Sequence, residues 1–428
     1  MKKLKSIAIL WIIFSAMTFY AKANTPKPTG SYRQVIEGFD WGPAVNKVIL
    51  SLEDTTSSVS ANEFVVFASR KSSIGEIAKE QSSGQRNVVF AYISDEHGDK
   101  VKTSKYITLV LAVGPNLPIG SPIQYFRGKG NQWIDYQLSI INNKSQQVWD
   151  NSIGKIMPLV DQFNLQGKYT HSEKLTMSYA SYTPKTRKEK SPLIIWLHGG
   201  GEGGVDPTIP LIGNKAANYA SEEIQSLFEG AYVLVPQCPG AWMHNSQAVT
   251  THGKENDIYN EGLMALIREY VKSNPKIDAS RVYVGGCSNG GYMALKLILL
   301  YPDYFAAAYI SSLAYQSQYI SDQELLKIKK IPIWFVHSKD DPVTVADQTV
   351  VPVYKRLMAA GAKNVHFTFY DHVYDVTDFY GGKGYQYNGH WSWVYLHKNL
   401  SRTDFDGSPV MVNGKPVSIM EWLAAQKK

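Results

Sequence analysis

Apolar and polar residues alternate in short runs between residues 32 and 141, and turn-forming residues separate the runs. Such alternation places one face of a β-strand against a core and the other against water. Four runs predict strands: 47–52, 63–68, 87–93 and 106–112. The cluster Asp95-Glu96-His97-Gly98-Asp99 predicts a hairpin turn rather than a calcium loop, which needs a longer series of ligands. We therefore expect residues 24–150 to form a small all-β sandwich.

The pattern changes after about residue 155, where nearly continuous apolar runs alternate with helical periodicity. Six runs predict strands: 175–180, 192–198, 231–236, 281–285, 331–337 and 365–370. Three segments predict helices: 257–273, with Ile258, Leu263, Leu266, Ile267 and Tyr270 on one face, then 289–300 and 418–426, with Ser418 as its cap. Alternating strands and helices indicate a mostly parallel sheet covered by helices, so residues 151–428 predict an α/β domain.

Residues 1–23 have the pattern of a secretory signal peptide. Three lysines precede an apolar run, and Ala21-Lys22-Ala23 places small residues around the expected cleavage site. An uncleaved anchor helix is the alternative, but the apolar run is shorter than the roughly 20 residues that span a bilayer. We therefore expect a secreted or periplasmic protein that is not held in a membrane after cleavage.

Composition and charge narrow the function classes. The chain has 428 residues, of which 44% are hydrophobic and 19% charged, so it contains enough apolar material for a large core. The net charge of +7 falls to +3 without residues 1–23, because 40 basic and 37 acidic side chains remain. A nucleic-acid partner is therefore not expected. We expect Cys238 and Cys287 to be free, buried thiols, although one disulfide is the alternative.

The segment Gly286-Cys287-Ser288-Asn289-Gly290 has the pattern G-x-S-x-G between a predicted strand and a predicted helix. This context is typical of a nucleophile elbow, in which glycines permit a sharp turn that exposes the serine hydroxyl. Ser288 is therefore the predicted nucleophile.

A second glycine-rich segment, residues 198–204, follows the predicted strand 192–198. Glycines at a strand end can direct backbone N–H groups at a developing oxyanion. We expect Asn289 to supply one donor and either Gly200 or Gly201 to supply the other. A phosphate-binding loop is disfavoured because no Lys-Ser or Lys-Thr pair follows.

A serine nucleophile needs a base and a carboxylate that orients it, in the chain order serine, acid, histidine for this type of fold. Strand 331–337 leads into Asp340 and Asp341, and we choose Asp341 with Asp340 as the alternative. His390 is the chosen base and His372 its alternative. His198 and His337 are assigned structural hydrogen-bonding roles, and His366 is expected to be packed within its strand or to lie on a face of it.

These motifs resemble the α/β-hydrolase superfamily, and within it the secreted esterases related to feruloyl esterases and polyhydroxybutyrate depolymerases. Four segments carry the resemblance beside the serine motif: 197–204, Val235–Pro239 with Trp242, 277–284, and His390-x-x-Trp393. Residues 38–43 and 48–50 resemble the Ig-like N-terminal domain of some of these esterases. Two departures are Ser338, where a glycine is common, and an insertion at 371–389.

The resemblance implies a serine carboxylesterase that forms an acyl-enzyme, acts on a small-molecule or polymeric ester and needs neither a metal nor an organic cofactor. Five side chains are candidates to contact substrate: Gln237, Trp242, Tyr292, Trp391 and Trp393. Residues 285–292 are also similar to prolyl-oligopeptidase-type peptidases, although the front region is too short for their propeller. A catalytically dead secreted binding protein is the third possibility.

Overall fold

The fold comes from a computed structural model that describes residues 28–173, 175–255 and 257–428. The predicted signal peptide lies outside these residues. Two eight-stranded sheets dominate the described part of the chain, one in the front domain and one in the domain that carries Ser288.

The front domain consists of strands with one short helix. Its elements are β1 (Pro28–Phe39), β2 (Gly42–Thr56), β3 (Phe64–Lys71), α1 (Lys79–Ser82), β4 (Ser83–Arg86), β5 (Val88–Ser94), β6 (Ser104–Leu111), β7 (Ile123–Phe126), β8 (Gly130–Trp133), β9 (Asp135–Asn142) and β10 (Val148–Ile156). The main sheet has the order β4-β3-β9-β10-β1-β2-β6-β5, and β7 and β8 form a separate hairpin. The boundary predicted at residue 150 falls inside β10.

This sheet folds over on itself, so its two halves face each other across a shared core. Arg86 on β4, at one edge, donates hydrogen bonds to the carbonyl oxygens of Val45 on β2 and Ala112 beyond β6, both at 2.9 Å. The Tyr32 hydroxyl on β1 accepts a hydrogen bond from the Leu138 N–H on β9 at 2.8 Å. The result is the sandwich-like packing expected from the alternating runs.

The second domain is built around a mostly parallel sheet. Its elements are β11 (Asn164–Ser172), β12 (Leu175–Tyr182), β13 (Ser191–Leu197), α2 (Thr208–Gly213), α3 (Glu222–Leu227), β14 (Tyr232–Gln237), α4 (Asn260–Ser273), β15 (Ile277–Cys287), α5 (Asn289–Leu300), β16 (Ala307–Ser311), α6 (Asp322–Ile328), β17 (Ile333–Ser338), α7 (Val350–Ala359), β18 (Val365–Tyr370), α8 (Trp393–His397), β19 (Met411–Val412), β20 (Lys415–Pro416) and α9 (Ile419–Ala424). The sheet order is β11-β12-β14-β13-β15-β16-β17-β18, and β11 and β12 are the antiparallel strands.

Most predicted elements of this domain are present. Helix α5 and strand β18 match their predicted bounds, and Ser418 forms a capping box with Glu421 at the start of α9. The predicted helix 257–273 begins three residues late, at Asn260. The prediction that Ile258 lies on its buried face is wrong, because that side chain is 46% exposed. Within the described residues, no helix has the length and hydropathy that crossing a membrane requires.

The two domains pack tightly against each other. Asp40 of the front domain is buried and lies 3.2 Å from Lys215 Nζ and 3.0 Å from Lys398 Nζ of the second domain. The insertion 371–389 also contacts the front domain, since the Tyr380 hydroxyl donates to the Val113 carbonyl oxygen at 3.0 Å. The insertion therefore helps to hold the front domain beside the carboxyl ends of the parallel strands.

Candidate active site

Ser288 lies in a sharp turn between β15 and α5, with φ 54° and ψ −117°. This is a strained conformation for a residue with a side chain, and such strain typically costs about 1–3 kcal/mol. The turn needs glycine at Gly290, where a Cβ would lie 2.0 Å from the Leu197 carbonyl oxygen. The chain therefore approaches β13 closely enough to hold the serine hydroxyl at the end of the sheet.

A chain of hydrogen bonds joins Ser288, His390 and Asp341. Ser288 Oγ lies 2.9 Å from His390 Nε2, and His390 Nδ1 lies 2.9 Å from Asp341 Oδ2. His390 is held in place by its neighbours: its N–H donates to Asn388 Oδ1 at 2.9 Å, and its carbonyl oxygen accepts from Ser312 Oγ at 2.7 Å. This arrangement allows His390 to take a proton from Ser288.

The Asp341 carboxylate is buried and surrounded by donors. Oδ1 accepts from the backbone N–H groups of Val343 and Thr344, at 2.8 and 2.9 Å. Oδ2 accepts from Thr344 Oγ1 at 2.7 Å and lies 3.1 Å from His337 Nε2. Burial alone would raise the pKa of Asp341, but the hydrogen bonds from His337, His390 and Thr344 outweigh it and hold that pKa well below its ordinary value. Asp341 is therefore ionised beside His390.

The two alternatives, Asp340 and His372, pair with each other instead. His372 Nδ1 lies 2.9 Å from Asp340 Oδ2, and the two side chains are 43% and 36% exposed. The corresponding fractions for His390 and Asp341 are 11% and 0%. The structure therefore brings His390 and Asp341, and not the alternative pair, to Ser288.

Three other histidines, His198, His366 and His397, lie in the core or have partners elsewhere. His198 Nε2 accepts from the Cys238 N–H at 3.0 Å, so Nδ1 carries the proton and donates to the Gly199 carbonyl oxygen at 2.6 Å. Burial lowers the pKa of His198 to about 4 and that of His397 to about 3, so both are neutral. His366 is bonded to Asp404 at 2.7 Å.

Gly200, Gly201 and Asn289 lie together at the carboxyl ends of β13 and β15. Asn289 is the first residue of α5, so its N–H has no acceptor within the helix. A Cβ placed on Gly200 would lie 3.8 Å from the Cβ of Asn289, and all three residues line one pocket with Ser288. The arrangement offers backbone donors beside the serine hydroxyl.

The pocket has a volume of about 860 Å³ and lies between the two domains. Trp391 and Trp393 line it, and the Trp393 ring stands edge-on to His390 with ring centres 5.4 Å apart. The opposite wall belongs to the front domain. Its apolar and aromatic members include Trp41, Leu117 and Tyr125.

The other three predicted substrate contacts are corrected by the structure. Gln237, Trp242 and Tyr292 are almost fully buried and absent from the pocket wall. Gln237 Nε2 donates to the Glu202 carbonyl oxygen at 3.0 Å, and Trp242 Nε1 donates to that of His198 at 3.1 Å. The Tyr292 hydroxyl donates to Asp257 Oδ2 at 2.7 Å. Each side chain is used for internal hydrogen bonding, away from the pocket.

Sequence reasoning missed two groups near the site. One is the front-domain wall, for which the sequence contains no local signal. The other is Thr344, three residues after Asp341, whose backbone N–H and hydroxyl both bond to the carboxylate. The sequence does contain a signal for Thr344. An aspartate side chain commonly accepts hydrogen bonds from backbone N–H groups two and three residues later, and such a turn fixes its carboxylate.

The site contains no feature of a metal centre or a reactive thiol. Within the described ranges, no group of three or more His, Cys, Asp or Glu side chains could hold a metal ion. Cys238 and Cys287 are free and buried, as expected. Burial raises the pKa of both thiols, so neither is a nucleophile at neutral pH.

Comparisons with known proteins give a family match for each domain. Residues 31–155 match the family model described as "Esterase Ig-like N-terminal domain", and residues 180–377 match "Phospholipase/Carboxylesterase". A solved structure titled "Crystal Structure of a Thermostable Esterase" is similar over 93% of this chain and 100% of its own, with a TM-score of 0.71 and 22% identity, which shows a shared fold.

A curated relative, feruloyl esterase B of Neurospora crassa, is 34% identical over 127 residues. The match covers 30% of this chain and 40% of the relative's length. This relative is named as an esterase, and the descriptions of the two matching family models also name esterases. The front domain therefore matches an esterase Ig-like family, and the second domain, which has the α/β-hydrolase fold, matches a phospholipase/carboxylesterase family.

Proposed function

We propose that the chain is a serine carboxylesterase in which Ser288, His390 and Asp341 form the catalytic triad. The observation that carries the proposal is the unbroken set of hydrogen bonds from Ser288 Oγ through His390 to Asp341, at 2.9 Å in both steps. A catalytically dead binding protein is disfavoured, because such a protein has no need for a strained serine aligned with a histidine and a carboxylate.

The proposed reaction proceeds through an acyl-enzyme. Ser288 Oγ attacks the ester carbonyl carbon while its proton moves to His390 Nε2, and Asp341 stabilises the resulting imidazolium. The N–H groups of Asn289 and of Gly200 or Gly201 bind the oxyanion, and each such donor typically contributes about 3–4 kcal/mol. His390 then protonates the departing alcohol, and water releases the acid by the same steps in reverse.

The pocket supports a substrate with an extended apolar or aromatic portion, because both walls contribute such side chains beside Ser288. We include small-molecule and polymeric esters in the proposal, and we place the enzyme outside the cytoplasm on the basis of residues 1–23. Neither metal nor organic cofactor enters the proposed steps.

The test is hydrolysis of a short p-nitrophenyl ester by the wild-type protein and by Ser288→Ala. We expect turnover by the wild type and a loss of about 10⁴-fold or more in the variant. No turnover by the wild type contradicts the esterase proposal, and equal rates contradict the role of Ser288. Faster cleavage of aminoacyl amides than of esters would favour the peptidase alternative.

A further inference from the structure

The segment Gly199–Gly204, called here the oxyanion loop, contains five glycines and Glu202. Glycine places few limits on backbone direction, so this sequence alone does not fix where its N–H groups point. Stabilising an oxyanion requires donors about 2.7–3.1 Å from one defined position. Contacts from outside the loop must therefore hold it.

The second domain holds both ends of the oxyanion loop. His198 Nδ1 donates to the Gly199 carbonyl oxygen at 2.6 Å, and the Gly204 N–H donates to the Cys238 carbonyl oxygen at 2.8 Å. These contacts leave Gly200 and Gly201, the two predicted donors, between the fixed ends.

The middle of the loop is held by Asn131, which lies on β8 of the front domain. The Asn131 N–H donates to the Gly201 carbonyl oxygen at 2.7 Å, and Asn131 Nδ2 donates to Glu202 Oε1 at 2.9 Å. The other carboxyl oxygen, Glu202 Oε2, accepts from Asn214 Nδ2 of the second domain at 3.0 Å. The buried Glu202 carboxyl thus joins one amide from each domain.

The β7–β8 hairpin approaches the loop as closely as a backbone can. Gly130 has φ +72°, and a Cβ there would lie 2.5 Å from the Gly201 carbonyl oxygen. Tyr125, on the other strand of the hairpin, lies 3.5 Å from the position of a Cβ on Gly201. The hairpin therefore packs directly against the loop.

We propose that Asn131 is a positioning residue that directs the oxyanion loop from the front domain, through the bond of its side chain to Glu202. Its backbone bond to Gly201 is a second contact, which side-chain substitutions leave in place. This inference rests on the proposed esterase function. It makes the front domain part of the catalytic apparatus rather than a separate module, because a backbone donor of the loop depends on a residue about 70 positions earlier in the chain.

The experiment compares Asn131→Ala with two controls in the full-length chain. Trp133→Phe removes another bond between the hairpin and the second domain, from Trp133 Nε1 to Thr208 Oγ1 at 2.9 Å, without touching the loop. Gln132→Ala removes a bond within the hairpin, from Gln132 Nε2 to the Lys129 carbonyl oxygen at 2.7 Å.

We expect Asn131→Ala to lower kcat about 10- to 100-fold with little change in KM, because a displaced donor affects the transition state more than the bound ester. Its affinity for an aryl trifluoromethyl ketone, whose adduct with Ser288 carries an oxyanion, should fall by a similar factor. Both controls should keep wild-type kcat, although Trp133→Phe should lower the melting temperature.

Wild-type kcat and inhibitor affinity in Asn131→Ala would overturn the inference, as would an equal loss of kcat in Trp133→Phe. If Asn131→Ala does not fold, Asn131→Ser is measured in its place under the same criteria. Failure of the esterase proposal itself looks different, because the wild-type chain would then turn over no ester and would not bind the ketone covalently.

Discussion

The substitution Asp341→Asn tests the proposed triad most sharply, because the structure dictates how an asparagine must sit there. Two backbone N–H groups, of Val343 and Thr344, point at Oδ1 and cannot accept a hydrogen bond. The asparagine oxygen must therefore occupy the Oδ1 position, and its NH₂ group must occupy the Oδ2 position, 2.9 Å from His390 Nδ1.

His390 Nδ1 lies 3.1 Å from Oδ1 and is closer to the NH₂ group, which can only donate, so we expect the single ring proton of neutral His390 to move to Nε2. Nε2 then faces Ser288 Oγ, 2.9 Å away, with a proton instead of a lone pair. The histidine is no longer a base in the ground state. The loss of kcat expected from this tautomer is about 10⁴-fold, or about 5 kcal/mol of transition-state stabilisation.

The assay is p-nitrophenyl ester hydrolysis at pH 7, with the thermal unfolding curve recorded for each variant. Asp340→Asn is the matched control, because Asp340 is adjacent in the chain but bonded to the exposed His372. We expect it to change kcat by less than about 5-fold, the scale of an exposed ion pair. A 10⁴-fold loss in Asp340→Asn, with a folded and active Asp341→Asn, would refute the assignment of the acid.

Three further predictions concern residues outside the triad. Asp40→Asn should destabilise the protein by about 3 kcal/mol in urea unfolding, because Lys215 and Lys398 lose their buried partner; an unchanged midpoint would contradict this role. Burial raises the pKa of Glu202 from 4.5 to about 7. Between these pH values the folded state keeps a proton on Glu202 that the unfolded state has lost. The free energy of unfolding should therefore fall as the pH rises from about 4.5 to about 7. Glu202→Gln should weaken that dependence when both proteins are unfolded at a series of pH values. Tyr292→Phe should cost about 1–2 kcal/mol, from the lost bond to Asp257, and leave KM unchanged; a raised KM would restore its predicted contact with substrate.

Local patterns were sufficient for much of the fold. Helix α5 was predictable because the elbow glycines fix its start and an apolar run continues to Leu300. Strand β16 was missed because it has only five residues and begins with Ala307 and Ala308, and alanine is depleted in strands. Helix α7 was missed because it starts Val350-Val351-Pro352, and β-branched residues and proline are poor helix formers. Packing of Val353 and Leu357 into the core compensates for that start.

The residues of the site were also predictable only in part. Ser288 and Asp341 could be chosen because each closely follows a strand, whereas His390 was chosen from the chemistry and from its place after the acid in the chain. Gln237, Trp242 and Tyr292 were misassigned because nearness in sequence to a motif does not determine which way a side chain points. The front-domain wall depends on how two domains pack, which no local pattern encodes.

The division of the pocket between two domains has a consequence for how this enzyme can diversify. Trp41 and Leu117 line the pocket from the front domain, and neither takes part in the hydrogen bonds that join Ser288, His390 and Asp341. Mutations at such positions can therefore alter which ester fits while the reacting groups keep their alignment. Substrate preference can thus change at Trp41 and Leu117 without any change in the residues that perform the reaction.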